Sequence, residues 1–195
     1  DDRGEHVTFG DVAVLERTPF LGTVGVAPGE PGVHSVIPPR RVGGNLDCRD
    51  VAPGATLHLP VEVDGALLSI GDPHAAQGDG EVCGTAVEVP ARARVRVTVE
   101  HDTGLDAPRL LAASRAPTGR GPDAGRHTVT FGIGPDLHVA ARDATRRMIE
   151  WLGDRGVDSL DAYLLCSVAG HLRIVEVVNE PHWVVGLDLD PAVLA

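Results

Sequence analysis

Hydrophobic and polar positions along the chain fall into two regimes. Through the first two-thirds the spacing is mostly two. Residues 92–100 (RARVRVTVE) alternate most cleanly, with Ala93, Val95, Val97 and Val99 on one side and Arg92, Arg94, Arg96, Thr98 and Glu100 on the other. Residues 56–63 (TLHLPVEV) alternate as well. Leu57, Leu59, Val61 and Val63 share a face there, and Pro60, which lacks an N–H, places that strand at a sheet edge. Residues 6–16, 66–70 and 81–89 also read as strands. The segments 22–34 and 35–55 are rich in Gly and Pro and read as loop and largely irregular chain. Residues 114–126 are polar and turn-forming.

The spacing then changes to that of a helix. Ala141, Ala144, Met148 and Trp151-Leu152 recur on one side of a helix over 138–152, which Gly153 or Gly156 can close. Ser159 can cap a second helix with Leu160, Leu164 and Val168 on one face, ending at Gly170. Two strands, 171–178 and 182–189, follow around Asn179-Glu180-Pro181. The predicted organisation is a β-rich domain over 1–127 that carries the site loops. An α/β subdomain of strand, two helices and two strands covers 128–195. There is no internal repeat.

Composition narrows the chemistry. All 17 basic residues among the 195 are arginine, against 28 acidic ones, for a formal net charge of −11. Without lysine there can be no phosphate-binding G-x-x-x-x-G-K loop, no Schiff base, no Ser-Lys dyad and no Cys-Glu-Lys amide hydrolase. The acidic balance argues against nucleic-acid binding. No apolar run approaches the ~20 residues of a membrane span, and no signal peptide opens the chain. The chain opens on Asp1-Asp2 rather than methionine, so an upstream part is expected. Aromatic residues make up only 3% of the chain, which leaves Val, Leu, Ile and Ala to build the core. The three cysteines, Cys48, Cys83 and Cys166, form no C-x-x-C pair and read as buried small hydrophobes in a reducing compartment.

Two clusters carry candidate chemistry. Gly71-Asp72-Pro73-His74-Ala75-Ala76-Gln77-Gly78-Asp79-Gly80-Glu81 is expected to lie between two strands. Its imidazole and carboxylates suit zinc, or calcium if carboxylates and carbonyls dominate, and its glycines permit tight turns. An ordinary polar loop with local Asx turns is the alternative. The second cluster runs from His34 to Cys48, where Gly43-Gly44 permits close backbone approach and Asn45 and Asp47 offer oxygens. The other histidines have no metal-ligand spacing. The arginine face of 92–100 reads as a solvated sheet face, with a cationic substrate stripe as the sharper alternative.

Three stretches together resemble the acetamidase/formamidase family: HSVIPPRRVGGNLD (34–47), LHLPVEVDGALLSIGDPHAAQGDGEVCGTAVE (57–88) and, more loosely, DAYLLCSVAGHLRI (161–174). The resemblance implies a mainly β fold with an α/β C-terminal part, in a β-barrel or sandwich-like arrangement. Members of the family are usually longer, with an N-terminal β-sandwich portion ahead of what matches here. The implied activity is hydrolysis of small linear amides to a carboxylic acid and ammonia through a metal-activated water, with zinc first and calcium second. A cytoplasmic homo-oligomer, or association with a chain supplying the N-terminal portion, is implied too. Carried onto this sequence, Asp47 and His74 are the expected metal ligands and Glu81 the general base. Asp79 and Gln77 are expected to bind metal, orient its ligands or hold the substrate amide, and Asn45 to face the oxyanion. Cys83, two residues from Glu81 on an expected strand, is a weaker candidate nucleophile. The rival reading is a metal-stabilised, non-catalytic module completed by another chain.

Overall fold

A computed structural model describes residues 4–113 and 125–194. In chain order the strands begin with β1 (His6–Phe9), β2 (Ala13–Glu16), β3 (Phe20–Gly25), β4 (Gly43–Asn45) and β5 (Thr56–His58). They continue with β6 (Ser69–Ala76), β7 (Val87–Glu88), β8 (Arg109–Ala113) and β9 (Arg126–Gly134). Helices α1 (Leu137–Gly153) and α2 (Ser159–Ala169) follow, then β10 (His171–Glu176) and β11 (Trp183–Leu189). All pairings between these strands are antiparallel. They form a hairpin of β1 and β2, a four-stranded sheet in the order β4-β3-β6-β7, and a five-stranded sheet in the order β10-β11-β9-β8-β5. The fold is thus mainly β with helices in its C-terminal part, and its sheets stay open rather than closing into a barrel. No helix among the described residues is long and apolar enough to cross a membrane.

The strand–helix–helix–strand–strand ending is as its spacing predicts. Asp136 caps α1 by accepting from Val139 N at 2.8 Å, and Ala140, Ala144, Met148, Trp151 and Leu152 are buried against β9 and β11. Gly132 is what lets α1 settle so close: a Cβ there would lie 1.8 Å from the Ala140 carbonyl oxygen. Alternate residues of the five-stranded sheet face away from the helices. There Val129, Phe131, Val175 and Val184 meet Leu46, Cys48, Leu110 and Ala112 in a second buried cluster. The chain around 46–48 is therefore clamped onto the back of this sheet.

Several local expectations fail for identifiable reasons. Residues 6–16 form a hairpin rather than one strand, because Gly10 turns at φ +52°. Residues 22–34 are not all loop, since β3 runs to Gly25 inside the four-stranded sheet. The alternation of 56–63 yields only β5, which sits at a sheet edge and ends before Pro60. The strand expected at 66–70 instead begins at Ser69 and continues to Ala76. Half of the polar cluster is therefore on β6, not between strands. Only Val87–Glu88 of 81–89 is paired. Residues 92–100 form no strand: among the described residues no neighbour offers them a ladder, and Val95, Val97 and Val99 stand exposed.

In α2 the N-cap is Asp158 rather than Ser159. Ala162 and Cys166 face inward, while Leu160, Leu164 and Val168 are exposed. Cys48 and Cys166 are buried as expected, but Cys83 is exposed. Residue 127 falls within β9, and the five-stranded sheet takes strands from both sides of it. Of the polar stretch 114–126, residues 114–124 lie outside the described residues.

Candidate active site

Strands β3 and β6 and three loops bring the chemistry together. Asp47 leaves β4, and its backbone N–H donates to the Gly22 carbonyl of β3 at 3.1 Å. His74 projects from β6, only 1% exposed, edge-on to the Phe20 ring at 5.0 Å. Glu81 follows the turn after β6. Ligand-type atoms of Asp47, His74 and Glu81 all lie within 4.8 Å of one another, and all three residues are buried. Two of the expected ligands and the expected base thus converge, although they come from separate segments of the sequence.

Hydrogen bonds fix the orientation of this cluster. Gln77 Nε2 donates to the Asp47 carbonyl at 2.6 Å, which turns its Oε1 toward His74 Nδ1 at 2.8 Å. Oε1 can only accept, so Nδ1 carries a hydrogen in this pairing. His74 Nε2 is buried without a hydrogen-bond partner, although Asp72 Oδ1 stands 3.1 Å away. Asp47 Oδ2 accepts from Asn179 Nδ2, while Asp47 Oδ1 is buried with no hydrogen bond. Glu176, fully buried, accepts from the backbone N–H groups of Val178 and Asn179 at 2.9 and 3.0 Å, which sets Asn179 against Asp47.

Burial and like charge perturb these acids. Burial pushes Glu81 well above the usual carboxylate range, and the charges of Asp47, Asp72 and Glu176 add to that. Asp47 is raised chiefly by burial, against the hydrogen bond from Asn179. Burial lifts Glu176 to about 7. Asp47, Asp72 and Glu81 also share a backbone oddity: their φ values are +42°, +54° and +44°, in the left-handed region that side chains other than Gly avoid.

The remaining predicted residues sit around this core. The Asn45 side-chain oxygen accepts from Thr23 Oγ1 at 2.6 Å, and the Asn45 carbonyl accepts from Asn179 Nδ2 at 3.5 Å. Asp79 lies outside the cluster, accepting from Arg49 Nε and Nη2 at 3.0 and 3.1 Å and from Arg173 Nη1 at 2.8 Å. The strand that would align Cys83 with Glu81 does not form, and Cys83 Sγ donates to the Thr85 carbonyl at 3.6 Å. Sequence reasoning missed Asn179 and Glu176, which read only as turn and strand end. It singled out the stretch holding Asp72 without giving that residue a role.

Buried, mutually perturbed acids around an oriented imidazole mark a candidate functional site, with groups of the kinds used for proton transfer or for holding a cation. The Acetamidase/Formamidase family model matches residues 14–194, and the chain belongs to that family. A formamidase of Methylophilus methylotrophus is 31% identical over 162 residues, covering 73% of this chain and 38% of that protein. The crystal structure of an acetamidase from Bacillus halodurans superposes with a TM-score of 0.82 at 34% identity, over 96% of this chain and 59% of that one. A predicted acetamidase/formamidase from Thermoanaerobacter tengcongensis superposes with a TM-score of 0.85 at 30% identity, over 98% and 60%. The chain thus spans less than two-thirds of each of these relatives.

Proposed function

We propose that this chain supplies the acid–base and metal-holding part of an amide hydrolase acting on small linear amides of the formamide or acetamide type. The observation that carries this reading is the buried Asp47–His74–Glu81 cluster, with Asp47 Oδ1 and His74 Nε2 left without hydrogen bonds. A divalent cation fits that donor set. An unprotonated imidazole nitrogen and a free carboxylate oxygen are zinc ligands, and calcium would favour the carboxylates. Asp47 and His74 would hold the ion, which when bound polarises the amide carbonyl and acidifies water.

The chain's own groups do the rest. Glu81, with its proton affinity raised by burial, takes a proton from the attacking water. It then delivers that proton to the amide nitrogen as the C–N bond breaks, so that water and amide leave as carboxylic acid and ammonia. Gln77 orients the His74 ring, Asn179 holds Asp47, and Asn45, whose side-chain oxygen is held by Thr23, would offer its amide nitrogen to the oxyanion. Glu81→Gln tests the assignment. Ammonia release from acetamide should fall ~10²-fold or more, with bound metal unchanged by elemental analysis; retained hydrolysis overturns the base role.

A second reading, a non-catalytic module completed by a partner chain, is favoured by the exposed Val95, Val97 and Val99. Ammonia release by the purified chain alone would exclude it. Co-purification with a second polypeptide, together with inertness alone, would support it.

A further inference from the structure

We infer that Arg173 is a positioning residue for this site, a single guanidinium that holds the loops bearing Asp47 and Glu81 against one strand. The inference rests on the amide-hydrolase reading for its kinetic consequences, though not for its structural ones.

Arg173 lies on β10, and its side chain is 12% exposed. It points to the sheet face opposite the helices, as Val175 does two residues on. Its Nε donates to Asp188 Oδ2 at 2.7 Å, its Nη1 to Asp79 Oδ1 at 2.8 Å and its Nη2 to Asp50 Oδ2. Asp50 is three residues beyond Asp47, on the same loop. Asp79 is two residues before Glu81.

The backbone of β10 grips the second loop as well. Gly80 N–H donates to the Val175 carbonyl at 2.9 Å, and Val177 N–H donates back to the Gly80 carbonyl at 3.2 Å. Farther along the same strand, Glu176 sets the turn that aims Asn179 at Asp47. Both acidic arms of the site thus refer to β10; Arg49 and Gln77 tie the two arms to each other, and Arg173 ties both of them to the strand.

The surrounding charges match this role. Asp50, Asp79 and Asp188 meet Arg49, Arg173 and His127. His127 Nε2 stands 3.2 Å from Asp188 Oδ1 and 3.8 Å from Asp50 Oδ2. Ligand-type atoms of Asp50, His127 and Asp188 lie close enough to suggest a second metal site. The guanidinium already bridges those two carboxylates, so that cluster reads as an ion-pair network. A buried network of this kind is a weak source of stability compared with apolar packing. What it offers is direction, since a planar fork can address three carboxylates at fixed angles and an ammonium cannot.

The test compares Arg173→Lys, Asp79→Asn and the double variant in the full chain. Three readouts are used: ammonia release, Zn²⁺ affinity by calorimetry, and amide hydrogen exchange. Arg173→Lys should lower kcat about tenfold with KM changed by less than about threefold, and weaken Zn²⁺ binding about tenfold. Exchange at Gly80 and Val177 should speed up while α1 keeps its protection. The loss in the double variant should fall short of the sum of the two single losses, because both single variants break the Arg173–Asp79 pair. Should Arg173→Lys fail to fold, Asp79→Asn leaves the Asp50 and Asp188 pairs intact and should still loosen Gly80. Additive losses, unchanged exchange and Zn²⁺ affinity, or equal loss of protection in α1 would each overturn the proposal. If wild type releases no ammonia, the amidase reading fails on its own, and exchange and Zn²⁺ affinity still decide the part played by Arg173.

Discussion

Replacing Gly22 with alanine tests whether the converging carboxylates are the working part of the molecule. Gly22 lies in β3 beneath the cluster. A Cβ there would stand 2.6 Å from Asp47 Oδ1, 2.6 Å from Asp72 Oδ2 and 3.0 Å from the Asp72 carbonyl oxygen. Carbon–oxygen contacts of this kind settle at about 3.3 Å, so each carboxylate must retreat by about 0.7 Å. The nearby Asp72 backbone oxygen narrows the directions available. A misplacement near 1 Å costs about 10²-fold in a positioned reaction, so Gly22→Ala should lose roughly 10- to 100-fold in kcat/KM for acetamide.

The fold should survive that change. Overpacking costs about 1–3 kcal/mol, and Gly→Ala returns about 0.4–1 kcal/mol by restricting the unfolded chain. At about 2–4 °C per kcal/mol for a chain of this size, Tm should drop by less than about 10 °C. Gly71→Ala is the control, because a Cβ at Gly71 meets nothing within 4 Å although Asp72 is its neighbour. Ammonia-release kinetics and thermal unfolding of the two variants decide the matter. Gly22→Ala within about threefold of wild type, or an equal loss in Gly71→Ala, would refute the reasoning.

Two predictions concern stability. Met148 is fully buried between α1 and the five-stranded sheet, so Met148→Ala should cost about 2–5 kcal/mol, read as a lower urea midpoint. His127 gives a pH dependence: burial alone would lower it, but Asp188 and Asp50 together raise it to about 9. Its unfolded value is about 6.5, so the folded state binds the extra proton between those limits. Its contribution is therefore full below about pH 6.5 and disappears as pH rises through about 9. The urea midpoint should fall over that window, and His127→Gln should flatten the fall.

The C-terminal half of the fold was legible because its signals are local. Ala144, Met148 and Trp151-Leu152 repeat at the helical period, and the start of the second helix is legible to within one residue, at Asp158 rather than Ser159. The N-terminal half was less so, since alternation shows what a strand would look like and not whether a neighbour pairs with it. Residues 92–100 have the pattern and no partner among the described residues. Residues 20–25 have glycines that read as loop, yet at Gly22 the missing side chain makes room for two carboxylates. The two polar stretches, 34–48 and 71–81, pointed to Asp47, His74 and Glu81 as a group through family likeness. Asn179, Glu176 and Arg173 reach the site only because β10 lies beside two loops more than 90 residues earlier in the chain, as the Arg173–Asp79 separation of 94 residues illustrates. No spacing rule in one sequence encodes that adjacency.

The backbone around these acids bears on function in its own right. A left-handed conformation costs an L-residue about 1–2 kcal/mol that glycine escapes, and Asp tolerates it better than Glu does. Asp47, Asp72 and Glu81 nevertheless occupy it, while Gly80 and Gly84 adopt positive φ on either side of Glu81. Glycine at position 81 would relieve the backbone, so the carboxyl group has a use that outweighs the strain. Asp47 and Glu81 are also buried together with like charge, which raises their proton affinities and opposes folding a second time. Strain, burial and repulsion at one point are hard to explain as packing. All three point to a functional use for these residues, and they are the reason the proposal above rests on Asp47, His74 and Glu81.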